Sequence, residues 1–108
     1  MNLPSEIFGD VVVVHTPDEL GNEQAPGFAA FVDRIDRKQV VVDLDGTESL
    51  TSGGLEAVLD AQEKLRQVGG DLKIATTNRY NRKILEMTRL DHQLDVFDSV
   101  IDAVKSFT

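Results

Sequence analysis

The stretch VVVDLDGTESLTSGGLEAVLDA, Val40–Ala61, decides how the chain folds. It completes Gln39–Leu44, QVVVDL, a nearly unbroken run of β-branched apolar residues. Continuous rather than alternating apolarity means burial on both faces, so this run reads as a central strand. The chain then crosses a polar turn, DGTESLTSGG, and enters a segment of about Gly54–Val68. There Leu55, Val58, Leu59, Gln62 and Leu65 share one helical stripe. Gly69-Gly70 stops that helix, because glycine accepts the left-handed conformation favoured just past a helix C-terminus.

Working outward, Val11–His15 (VVVVH) and Asp71–Thr76 (DLKIAT) read as further strands. Leu94–Phe97 reads as a short last strand, and an extra one is possible near Ile7. Thr16–Pro26 carries two prolines, Gly21 and Asn22 and reads as a loop. Phe28, Phe31, Val32 and Ile35 mark a helix near Pro26–Asp36. Tyr80, Ile84, Met87 and Thr88 line one side of another, near Arg79–Thr88. A last helix is expected near Asp98–Ser106, N-capped by Asp98 and carrying Val100, Ile101, Val104 and Phe107. The alternation predicts an α/β fold with a four- or five-stranded mixed sheet and about four helices, residues 1–108 forming a single domain.

Composition narrows the function. A 41% hydrophobic content suffices for a packed core, built from aliphatic residues because there is no Trp and one Tyr. The formal net charge of −8 repels phosphate backbones and anionic membrane surfaces and steers basic protein partners. Nucleic-acid binding and membrane insertion are therefore not expected. Without cysteine there are no disulfides, thiolate metal sites or cysteine nucleophiles. No apolar run approaches the ~20 residues of a membrane span, and MNLPSEIFGD is acidic where a signal peptide is basic. A cytoplasmic location is expected.

The turn after the central strand is where chemistry could sit, because ligands of open α/β sheets bind at the carboxyl ends of strands. It places Ser49, Thr51 and Ser52 ahead of Gly53, Gly54 and a helix. A phosphate on Ser52 would meet the unpaired N–H groups of the first helical turn. The two glycines would leave the backbone open to an approaching kinase or partner. The alternative reading is a Ser or Thr N-cap, with the glycines serving close packing of helix on strand. Asp43, Asp45 and Glu48 could hold Mg²⁺ in the manner of a phospho-acceptor receiver domain. Solvated turn carboxylates are the preferred account of them, and Glu48 breaks an EF-hand pattern where that loop needs glycine. His15 and His92 stand alone without ligand spacing. There is no P-loop, dinucleotide fingerprint or nucleophile elbow, so neither cofactor nor catalytic residue is expected. Arg79, Arg82 and Lys83 form a basic patch, read either as a hold for a partner's carboxylates or as a solvated helix face.

The string Val40–Ala75, VVVDLDGTESLTSGGLEAVLDAQEKLRQVGGDLKIA, resembles the central motif of STAS domains in the anti-sigma-factor antagonist family. Asp43-Leu44, Gly54-Leu55 and Gly69-Gly70 fall on that pattern, and NRYNRKILEMTRLDHQLDVFDSVIDAVKSF follows its later part. The resemblance spans roughly Val11–Phe107. It implies a STAS fold and a non-enzymatic antagonist that docks an anti-sigma factor, itself a serine kinase of the ATPase-kinase fold. Ser52 matches the phosphorylated serine, with Thr51 and Ser49 as secondary candidates. Thr51, Ser52, Gly53, Gly54, Glu48 and Glu56 would form the docking surface. Thr51 stands where the family has an acidic residue and Gly53 where it has a second serine. STAS domains also act as unswitched scaffolds or subunits of larger complexes, which is the alternative the resemblance leaves open.

Overall fold

The computed structural model describes all residues, 1–108. In chain order the elements are β1 (Ser5–Phe8), β2 (Val11–His15), β3 (Glu19–Leu20), α1 (Ala25–Asp33), β4 (Gln39–Asp43), β5 (Ser49–Leu50), α2 (Ser52–Gln67), β6 (Asp71–Ala75), α3 (Arg79–Met87), a 3₁₀ turn (Leu90–His92), β7 (Val96–Phe97) and α4 (Val100–Lys105). The main sheet runs β1-β2-β4-β6-β7. β1 is antiparallel to β2 and every other pairing is parallel, so the mixed five-stranded α/β fold is as expected. β4 lies at its centre with Val40, Val41 and Val42 fully buried, which is what the unbroken Val run demands.

Strand alternation sends side chains to two unequal cores. Val12, Val14, Val40, Val42, Leu72 and Ile74 face the larger one, under α1 and α2. Val11, Val13, Val41 and Ala75 face the smaller one, closed by Ala103 of α4 with Phe97, Val100, Val104 and Phe107 around it. Lys73 reaches under α4 on this side. Its Nζ donates to the carbonyl (3.2 Å) and hydroxyl (2.8 Å) of Ser106 and lies 4.3 Å from the Phe107 ring centroid. A buried ammonium is costly unless compensated; here the negative end of a helix and an aromatic face compensate it.

α2 ends as expected. Gly70 N–H donates to Leu65 O (2.8 Å) and Gly69 N–H to Arg66 O (3.2 Å), with Gly69 at φ +84°, a Schellman cap. Other expectations need correction. Thr16–Pro26 is not all loop: Glu19–Leu20 pairs in parallel with Ser49–Leu50 as a separate two-stranded sheet. α1 stops at Asp33, so Ile35 packs on the core from beyond the helix. α3 turns Asn81 and Leu85 inward, while Tyr80 and Met87 stand 62% and 75% exposed. α4 is capped by Ser99, whose Oγ accepts from Asp102 N–H (3.0 Å). Asp98 instead pairs with Arg82.

Candidate functional site

The polar turn leaves the carboxyl end of β4 and is held from three sides before α2 begins. The first hold is the small parallel sheet. Glu48 and Ser49 N–H both donate to Asp18 O, and Thr51 N–H donates to Leu20 O (3.1 Å). The second is a buried hydroxyl pair: Thr47 Oγ1 donates to Pro17 O (2.6 Å) and is hydrogen-bonded to Thr16 Oγ1. The third comes from α3, where the fully buried Asn81 donates through Nδ2 to Leu44 O (3.1 Å) and Thr47 O (2.8 Å). A loop fixed at both its carbonyls and its amides presents its side chains in one geometry.

What it presents is a set of hydroxyls with carboxylates beside them. Ser49, Thr51 and Ser52 are exposed, as are Glu48 and Glu56. Thr51 is the N-cap of α2, but its side chain makes no capping hydrogen bond. Ser52 is the first helical residue. The first helical bond is Leu55 N–H to Thr51 O (3.0 Å), so the amides of Ser52, Gly53 and Gly54 precede the ladder. Leu55 is buried and Leu59 half-buried, which turns Ser52 to the rim as the spacing requires.

Of the two readings of the glycines, close packing of helix on strand is the one their surroundings match. Gly53 and Gly54 are buried rather than open to a partner. A Cβ on Gly54 would overlap the backbone carbonyl of Leu20, and one on Gly53 would overlap the side chain and Cα of Asn22. They let the first turn of α2 lie directly on β3 and the turn after it, so close helix-on-strand packing is their role. Gly53 also lines a shallow surface depression with Glu56 and Ala57.

The turn carboxylates divide. Asp45 is exposed and accepts from Thr77 N–H (2.6 Å), tying the turn to the β6–α3 connection. Asp43 is half-buried and is no solvated turn residue: its Oδ1 accepts from Asp45 N–H (3.0 Å) and its Oδ2 lies 2.8 Å from His15 Nδ1. His15, read as isolated, thus bridges two carboxylates, because its Nε2 lies 2.6 Å from Glu6 Oε1. The hydrogen bond to Glu6, opposed by partial burial and assisted by Asp43, raises the His15 pKa above its ordinary 6.5. Asp43 and Asp45 therefore bond to different partners rather than converging. Of the basic patch, Arg82 is bound to Asp98, while Arg79 and Lys83 are exposed.

Asn81, Thr16 and Thr47 are structural members of the site that periodicity could not find. Asn81 carried one usable signal, standing one turn before Leu85 on what proves to be the buried side.

The STAS domain model matches residues 2–103. A Thermotoga neapolitana protein provisionally named an anti-sigma factor antagonist is 26% identical over 106 residues, 94% of each chain. An anti-sigma factor antagonist from Mycobacterium paratuberculosis superimposes with a TM-score of 0.85 at 23% identity, covering 97% of this chain and 92% of that one. The Bacillus anti-sigma factor antagonist SpoIIAA in its unphosphorylated form gives a TM-score of 0.78 at 15% identity, covering 98% and 96%. Its phosphorylated form gives 0.73 at 15%, covering 99% and 100%. With nearly its whole length matched and the five-stranded mixed sheet in place, the chain belongs to the STAS domain family.

Proposed function

We propose that residues 1–108 act as one phosphorylation-switched binding module, an anti-sigma factor antagonist without catalytic turnover that works in the cytoplasm. Unphosphorylated, the rim formed by Glu48, Thr51, Ser52 and Glu56 docks an anti-sigma factor that is also a serine kinase of the ATPase-kinase fold. Phosphorylation of Ser52 releases it. The observation that carries this reading is the placement of Ser52, exposed at the first turn of the 16-residue α2 on a turn pinned by backbone bonds. The likeness to SpoIIAA, solved with and without phosphate, supports it.

The physical sense of the switch follows from charge. A phosphate brings about −1.5 to −2 charges and three strong acceptors. The unpaired amides of the first turn favour it there by roughly 0.3–1 kcal/mol, so the modified state is locally tolerated. The same charge joins Glu48 and Glu56 on a chain already at −8. A partner surface fitted to the neutral hydroxyl then meets both bulk and repulsion.

The decisive experiment compares Ser52→Asp, Ser52→Ala and the unmodified protein for calorimetric binding to the kinase, with mass spectrometry for phosphate. Ser52→Asp is expected to weaken binding by about tenfold or more, roughly 1.4 kcal/mol; Ser52→Ala keeps binding and blocks phosphorylation. Neither should unfold the domain, since removing even a working cap costs only ~1 kcal/mol. An unswitched scaffold is the second reading, favoured by Gly53: its burial against Asn22 leaves no room for the second serine of the family pattern. Equal binding of both variants, with no phosphate on Ser52, Thr51 or Ser49, selects the scaffold.

A further inference from the structure

The outward face of α3 exposes two large apolar side chains, Tyr80 and Met87, beside two cations, Arg79 and Lys83, that have no ion-pair partner. Tyr80, Ile84 and Met87 recur at i, i+4 and i+7, the spacing of a stripe that packs against another helix. Of these, Ile84 is partly buried and packs against the main core, whereas Tyr80 is 62% exposed and Met87 75% exposed. The inward side is already occupied by Asn81 and Leu85. Tyr80 and Met87, seven residues apart on one side of α3, are thus left without a packing partner.

Charge says what that partner is. Arg79 and Lys83 lie one turn apart alongside Tyr80 and Met87, and neither has a carboxylate within ion-pairing distance. On a chain with nineteen acidic side chains, two free cations flanking an apolar stripe are a local reversal of sign. Tyr and Arg are over-represented among residues that anchor interfaces, and Met adapts its shape to what covers it. An anionic bilayer would be repelled by the rest of the molecule at −8, whereas a protein segment can match the patch alone.

We propose that this face of α3 binds an acidic amphipathic helix of a partner protein, its apolar stripe against Tyr80 and Met87 and its carboxylates on Arg79 and Lys83. The nine residues of α3 offer roughly 13 Å of helix, enough to seat about two turns of the partner. The assignment uses no property of Ser52 and stands or falls apart from the phosphorylation switch.

The test is an NMR titration of the full ¹⁵N-labelled chain at low salt. The probe is a synthetic amphipathic helix with leucine on one stripe and glutamate elsewhere, compared with the same peptide carrying lysine for glutamate. The glutamate peptide is expected to shift amides along α3, centred on Tyr80, Lys83 and Met87. Arg79→Glu/Lys83→Glu should weaken it by about tenfold or more, and Tyr80→Ala/Met87→Ala should abolish saturation, with both variants keeping the wild-type circular dichroism. All four substituted side chains point outward or are not part of the core, so loss of fold is not the expected cause of loss of binding. No binding of the glutamate peptide, shifts centred away from α3, or equal α3 binding of the lysine peptide each overturns the proposal. A phosphatidylglycerol vesicle arm is run in parallel, and binding to it that Arg79→Glu/Lys83→Glu abolishes would replace the protein partner with a membrane.

Discussion

At the scale of single residues, Gly54 is the most constrained position beside the candidate serine. An added methyl would meet the carbonyl of Leu20, a backbone atom in the small β3–β5 sheet that cannot rotate away. Alanine's better helix propensity, at most ~1 kcal/mol and less in a first turn, opposes an overpacking cost of about 1–3 kcal/mol. The clash wins. Gly54→Ala is expected to lower the melting temperature by about 5–15 °C, with the loss read by calorimetry against Ser52→Ala, which should stay near wild type. A stable Gly54→Ala protein would mean that α2 can slide off β3 at little cost. Glycine's role was ambiguous in the sequence because an open backbone and a crowded one ask for the same residue. Only the neighbour across the gap separates them, and Leu20 and Asn22 lie more than thirty residues upstream.

At the scale of elements, α2 was legible because its apolar stripe is long and its end is marked by Gly69-Gly70. α3 was not. Its Tyr80–Ile84–Met87 stripe and its Asn81–Leu85 line compete for the inside. The polar line wins because Asn81 supplies the donor for the Thr47 carbonyl, which no backbone amide reaches, and a second donor for the Leu44 carbonyl, which also accepts from Thr47 N–H. β3 and β5 are two residues each, too short for any period to show. His15 was invisible for another reason: its partners come from neighbouring strands. On the α4 side of the sheet Glu6 of β1 stands opposite Val13, diagonal to His15, and His15 stands opposite Asp43 of β4. The protonated imidazole is favoured in the folded state, so the His15 pKa lies above its unfolded value of 6.5. The sign follows: the stabilisation is complete below 6.5 and is lost as pH rises through the higher folded value. Denaturant midpoints are expected to fall over that window in the wild type and to fall less in His15→Gln. The effect is small, under about 1 kcal/mol, because Glu6 is well exposed. Parallel pH profiles for the two proteins would show that the bridge does not titrate within the folding equilibrium.

At the scale of the whole molecule, electrostatics runs against the fold. Nineteen acidic side chains face eleven basic ones, and outside the His15 bridge the ion pairs are Lys64–Asp33, Arg66–Asp71 and Arg82–Asp98. The molecule measures 30 × 26 × 24 Å. At 0.01 M salt the Debye length is about 30 Å, so carboxylates repel one another across its full width; at 0.15 M it is about 8 Å and only near neighbours interact. Salt also screens the three favourable pairs, but surface pairs contribute only ~0–1 kcal/mol each, and repulsion among the excess anions outweighs them. The melting temperature is therefore expected to rise by a few degrees between these two salt levels. The exposed side of α2 concentrates the effect, with Glu56, Asp60 and Glu63 following at i, i+4 and i+7, each carboxylate within one turn of the next. Asp60→Lys replaces the middle anion by a cation, taking the formal charge from −8 to −6, and converts both repulsive helix pairs, with Glu56 and with Glu63, into attractive ones. That variant should melt higher at low salt and show a flatter salt dependence, measured by scanning calorimetry in sodium chloride. A wild-type melting temperature that falls with salt would mean that the few ion pairs outweigh the net charge, and an unchanged slope in the variant would place the repulsion elsewhere than on α2.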